Sequence, residues 1–119
     1  MNEKTTQLLD RTFWFGVNIL KFLDKLPYSP VYKVPILQLS RSSTSVGANY
    51  EEAQGATSKR DFSYKIGISY REARESVYWL RVLKELYSDE RFFPEFEEYK
   101  NEAHELKKIF ASIKISSSK

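Results

Sequence analysis

The chain has 119 residues, 41% hydrophobic and 15% aromatic, with only 4 Gly and 4 Pro, which is length and apolar material for one well-packed domain with little disorder outside its ends. It has no cysteine, which excludes disulfides, thiolate metal sites and cysteine nucleophiles; residues 1–10 show no signal-peptide pattern, and a cytoplasmic location is expected. The net charge of +3 is unevenly spread, with seven basic residues against three acidic in 59–84 and seven acidic against two basic in 89–105, a polarity suited to an anionic partner or to oppositely charged faces of two copies.

Residues 4–26 read as a first helix. Leu8, Leu9, Thr12, Phe15, Gly16, Ile19, Phe22, Leu23 and Leu26 recur at spacings of three and four, and Trp14 and Val17 widen the stripe. Pro27 and Pro30 stop it, because proline disfavours the helical conformation of the residue before it. Its most apolar run, 13–23, is broken by Asn18 and Lys21 and is shorter than the roughly 20 residues a membrane span needs. The second helix, 33–54, tolerates Pro35 in its first turn and turns Ile36, Leu39, Ser43, Val46, Tyr50 and Ala53 inward. Ser43, Gly47 and Ala48 would let a neighbouring backbone approach closely, so small-residue packing is the reading of the polar run 42–45 as well.

Gly55 is expected to take a left-handed C-terminal cap, and Ser58 to cap the third helix, 59–87, with Asp61 in its first turn. Phe62, Ile66, Ser69, Ala73, Ser76, Leu80, Leu83 and Tyr87 form its packing face. Ile68, Trp79, Val82 and Leu86 lie beside that face, a surplus of apolar surface that predicts a subunit interface. After a turn at 88–91, the fourth helix, 94–115, carries Phe96, Tyr99, Ala103, Leu106, Phe110 and Ile113, and 116–119 should fray. The expected fold is all-α: one domain, 1–119, forming an antiparallel up-down-up-down four-helix bundle with no strand.

Half a turn from the packing face of the third helix lies a second set at the same spacing: Arg60, Tyr64, Gly67, Arg71, Arg74, Tyr78 and Arg81, aided by Lys59 and Lys65. Guanidinium groups pair bidentately with phosphates and tyrosines stack on unpaired bases, so the set suits a sequence-tolerant RNA or DNA surface. Three readings stand: nucleic-acid binding, contact with the acidic fourth helix of another copy, and plain solvation. The single histidine, His104, has Asn101 rather than Glu three residues before it, which rules out the paired Glu-x-x-His motifs of di-metal bundles, so no metal or cofactor is expected. Arg71 and Glu75 stand at the spacing of a helical ion pair, while Arg41, Asn49, Glu52 and Glu75 are candidates for polar contacts between the second and third helices. Asn49 is expected to cap a helix or bond between helices. With no glycine-rich phosphate loop, nucleophile elbow or Ser/His/Asp set, neither an enzyme nor a small-molecule substrate is indicated.

Ser45-Val46-Gly47-Ala48-Asn49, then Glu52, Asp61-Phe62, Arg71-Glu72-Ala73-Arg74-Glu75 and Tyr78-Trp79-Leu80 together resemble the bacterial "four helix bundle protein" family, the 23S rRNA intervening sequence proteins. The chain departs from the family's Asn-Ile-Ala-Glu-Gly with Asn49-Tyr50-Glu51-Glu52-Ala53 and a glycine two residues later, which predicts a slightly longer second helix. The resemblance implies a four-helix bundle without known enzymatic activity, often a ring-shaped homopentamer, related to the nucleic-acid-binding accessory proteins of diversity-generating retroelements. Two functions follow: a non-enzymatic RNA- or DNA-binding protein using the basic face of the third helix, or an oligomeric protein scaffold that binds no nucleic acid.

Overall fold

The computed structural model describes all of residues 1–119. Four helices form, α1 (Glu3–Lys25), α2 (Lys33–Ala53), α3 (Lys59–Leu86) and α4 (Phe93–Ser117), with no strand. Short 3-10 turns, Pro30–Tyr32 and Glu90–Phe92, lead into α2 and α4. The long dimension is 45 Å, close to the roughly 42 Å that the 28 residues of α3 span, so this helix runs the length of the molecule.

Two of the four starts carry a side-chain cap. Asn2 caps α1 by accepting from the Thr5 N–H at 2.8 Å, and Ser58 caps α3 by accepting from the Asp61 N–H at 3.0 Å. The end of α2 differs from the expectation, because Gly55 has no positive φ. The N–H groups of Gln54, Gly55 and Ala56 donate to the carbonyls of Glu51, Glu52 and Ala53, so the chain tightens to bonds three residues back and satisfies those carbonyls without a left-handed residue. At the other end of the chain α4 runs through Ser117 instead of stopping at 115, with the Ser117 and Ser118 hydroxyls donating to the Lys114 carbonyl.

Phe22, Ile19, Leu39, Ile66, Leu80, Leu83, Phe96, Leu106 and Phe110 are fully buried between the helices. α1 meets α2 through its smallest residues. A Cβ on Gly47 would stand 3.1 Å from the Thr12 carbonyl, and one on Gly16 would stand 3.2 Å from the Thr44 Cα. α2 meets α3 through buried serines, with Ser42 and Ser76 hydroxyls 2.9 Å apart and Ser69 donating to the Val46 carbonyl at 2.9 Å. These hydroxyls find partners where they lie, so close packing leaves no buried side-chain polar atom unsatisfied. α3 meets α4 through Lys114, whose Nζ donates to the Ser63 carbonyl at 2.8 Å, and through Lys84 with Glu97. The α1/α4 seam is closed by Phe22 against Phe96, with centroids 4.8 Å apart, and by the Arg11–Glu102 and Lys25–Glu95 ion pairs.

The apolar surplus is not where the α3 sequence placed it. Ile68, Trp79, Val82 and Leu86 are half-buried, and Trp79 and Leu86 pack against the core. Trp14, expected to widen the α1 stripe, is instead 51% exposed beside Phe13, which is 58% exposed. Leu20 on α1 and Val34 and Leu37 on α2 are exposed as well. Each helix has two neighbours; the side positions Trp79 and Leu86 of α3 reach the core, whereas Phe13, Trp14, Leu20, Val34 and Leu37 lie on sides of α1 and α2 that no neighbour covers. No helix is long and apolar enough to cross a membrane.

Candidate nucleic-acid interface

An α-helix turns about 100° per residue, so Arg60, Tyr64, Arg71, Arg74, Tyr78 and Arg81 fall within about 100° of one another, opposite Ile66, Ala73 and Leu80. The structure leaves all six exposed. Lys65 does not join them. It lies about 140° round the helix from Arg60, half-buried toward α2, where its Nζ is 3.5 Å from Glu52 and 3.9 Å from Asp61.

Arg71, Arg74, Tyr78 and Arg81 share a shallow groove of about 510 Å³ with Glu75, Val77 and two α4 residues, His104 and Lys107. Toward the start of α3 a second depression of about 560 Å³ is lined by Lys59, Arg60, Ser63, Tyr64 and the α4 residue Lys114, among others. Gly67 lies between the two. A Cβ there would meet the Lys114 Nζ at 3.3 Å, so the missing side chain lets an ammonium from α4 fill the gap in the basic face. His104, Lys107 and Lys114 were not among the sequence candidates. Their spacing of three and seven on one side of α4 was a legible signal, but which side of α4 borders α3 was not.

The four arginines of this face make no ion pair, although Glu75 lines the same groove, Glu85 follows Arg81 by one turn, and the Lys59 Nζ donates to a Lys119 oxygen. Of seven arginines, Arg11, Arg41 and Arg91 each hold a carboxylate, whereas Arg60, Arg71, Arg74 and Arg81 have none within 4.0 Å. The Arg71–Glu75 pair expected from their spacing does not form. Glu75 accepts from Arg41 Nη2 at 2.7 Å and from the Trp79 indole at 3.2 Å, and Glu72 accepts from Arg41 Nη1 at 2.9 Å. Arg41, on α2, therefore draws both carboxylates toward α2, although Glu75 still lines the groove of the basic face. Burial raises the Glu72 pKa and outweighs the charge of Arg41, while at Glu75 the bonds from Arg41 and Trp79 overcome burial and lower it. The two shifts differ in sign because Glu72 is the more buried carboxylate of the pair, with side-chain exposures of 14% and 32%.

Asn49 makes neither a cap nor an interhelical bond, since its Nδ2 donates to the Ser45 carbonyl one turn back at 2.9 Å. Burial, followed by the charges of Lys107, Lys100, Lys108 and Arg81, holds the His104 pKa below that of a free imidazole. No group of three His, Asp or Glu side chains gathers closely enough to hold a metal ion.

A crystal structure at 1.70 Å of a protein with unknown function from the S23 ribosomal protein family, from Bacteroides thetaiotaomicron VPI-5482, is similar to this chain, with 34% identity and a TM-score of 0.79 over 92% of this chain and 96% of that one. No curated protein matches. The sequence model of the family described as 23S rRNA-intervening sequence protein matches residues 4–112, nearly the whole chain. The chain belongs to that family.

Proposed function

We propose that this chain is a non-enzymatic, cytoplasmic protein that binds the phosphates of RNA or DNA through the exposed face of α3 and the adjoining side of α4. The observation that carries the reading is the segregation of arginines: every one without an acidic partner stands on that face. Surface arginine is readily neutralised by neighbouring carboxylates, as Arg11, Arg41 and Arg91 are here, so four free guanidinium groups in one row keep their field for an external anion. The family description, which refers to an intervening sequence of 23S rRNA, agrees with a nucleic-acid setting.

The descending register of the helix contacts supports an up-down-up-down order: Gly16 with Thr44 and Gly47 with Thr12, then Ser42 with Ser76 and Ser69 with Val46. The exposed Phe13, Trp14, Leu20, Val34 and Leu37 support self-association through α1 and α2, as the ring-shaped pentamer implied by the resemblance requires.

The test is salt-dependent retention. Binding should weaken steeply as salt rises, because each phosphate neutralised releases a counterion. Arg71→Glu with Arg74→Glu should lower affinity at least roughly ten-fold and reduce the log–log salt slope by about 2, with helicity and assembly size unchanged. If the double variant binds as the parent does, the face is the wrong one.

Arg41 gives a second test. Arg41→Gln should free Glu75 to pair with Arg71 four residues before it, reducing the salt slope by about 1. Adding Glu75→Gln to that variant should restore the slope; a slope that stays low would assign Arg41 a purely structural part.

A further inference from the structure

We propose that this face selects single-stranded over double-stranded nucleic acid, RNA or DNA alike, because each cluster of cations holds one exposed tyrosine on which an unpaired base can stack. The inference rests on the nucleic-acid reading above and specifies its substrate. Tyr64 is 61% exposed beside Lys59, Arg60 and Lys114, and Tyr78 is 54% exposed beside Arg71, Arg74, Arg81, His104 and Lys107. The Tyr32 and Tyr87 hydroxyls, by contrast, are tied to the Leu86 and Pro27 carbonyls at the end of the bundle, and the exposed Tyr28 stands outside both cation clusters. Tyr64 and Tyr78 make no such bond and stand among the cations. Tyr78 is nonetheless held, because its ring stands edge-on to Trp79 with centroids 4.9 Å apart, and the Trp79 indole is anchored on Glu75.

The two rings share a face. Fourteen residues separate them in the sequence, which is about 40° short of four full turns and about 21 Å along α3. A duplex can offer phosphates to the arginines, but its bases are already stacked and paired, so neither ring gains from it. A single strand can do both, following the cations with its backbone and laying one base on each tyrosine, a contact that strengthens binding roughly five- to a hundred-fold per base. At about 3.4 Å per stacked nucleotide the strand must run about six nucleotides to reach both rings. The unpaired base and the phosphodiester, common to RNA and DNA, are the recognised chemistry.

The experiment measures affinity by fluorescence anisotropy at one fixed salt for oligo-U and oligo-dT of about twelve nucleotides and for a blunt duplex of the same length, longer than the roughly six-nucleotide reach. The full chain, its Tyr64→Leu/Tyr78→Leu variant and its Arg71→Glu/Arg74→Glu variant are compared. Both single strands should bind the parent at least roughly ten-fold tighter than the duplex does. The tyrosine variant should lose that preference while its duplex affinity and salt slope stay unchanged. Duplex affinity equal to that of the single strands, or a tyrosine variant that binds single strands as the parent does, overturns this inference and leaves the proposed function standing. Retention indifferent to the arginine variant overturns the proposed function, and this inference with it.

Discussion

Replacing Phe22 by alanine is expected to destabilise the fold by about 3–5 kcal/mol, because it removes a fully buried aromatic ring and leaves a cavity that its neighbours can only partly fill. The site is unusually dependent on that ring. Phe22 packs edge-on against Phe96 at 4.8 Å and also meets Tyr99 at 5.4 Å and Phe92 at 6.4 Å, so one side chain joins α1 to two aromatics of α4 and one of the turn before it. The α1/α4 seam is the slightest of the four, and its other ties are the half-exposed Arg11–Glu102 and Lys25–Glu95 pairs, each worth about 0–1 kcal/mol. A domain stable by about 5–15 kcal/mol would lose a large share of that stability, with the melting temperature falling on the order of 10–20 °C. Denaturant titration of parent and variant checks this; a loss below about 1 kcal/mol would mean that the seam is held by something other than the aromatic cluster.

Gly47→Leu is the second large effect expected, a loss of about 2 kcal/mol or more. Glycine in a helix interior ordinarily costs about 0.8–1 kcal/mol relative to alanine, so on propensity alone any larger residue should help. The geometry decides otherwise. The first added carbon would lie 3.1 Å from both the carbonyl carbon and oxygen of Thr12, backbone atoms of a neighbouring helix that cannot rotate aside, and 3.2 Å from its hydroxyl. The Thr12 hydroxyl is also committed to the Leu8 carbonyl at 2.9 Å, so α1 must shift as a body or lose that bond. Thermal or chemical denaturation should show Gly47→Leu well below the parent. Equal stability would mean that α1 and α2 are not in backbone contact at this point.

These two sites differ in how plainly the sequence announces them. Phe22 stands in an apolar repeat of period three to four, and its burial is legible from spacing alone, as is that of Ile66, Ala73 and Leu80 on α3. Gly47 was legible as a place of close approach, but not as a place set against Thr12. The same division runs through the candidate interface. Periodicity placed Arg60, Tyr64, Arg71, Arg74, Tyr78 and Arg81 in one row, and the structure leaves that row exposed. It placed Lys65 nearby in sequence, yet that side chain turns to Glu52 on α2.

The pattern of residues by itself determined the number of helices, their caps at Ser58, their stop before Pro27 and the faces they bury, because each of these depends on contacts within a few residues along one helix. Only the tertiary structure decided which acid meets which base, which side of α4 adds Lys107 and Lys114 to the basic face, and that the bare apolar surface lies on α1 and α2 instead of α3. Those outcomes depend on how far each helix is rotated and slid against its neighbours. Rotation of α2 puts the Arg41 guanidinium 2.7 Å from Glu75, and that contact, with the bond from the Trp79 indole, leaves Arg71 without the partner that its own helix had offered.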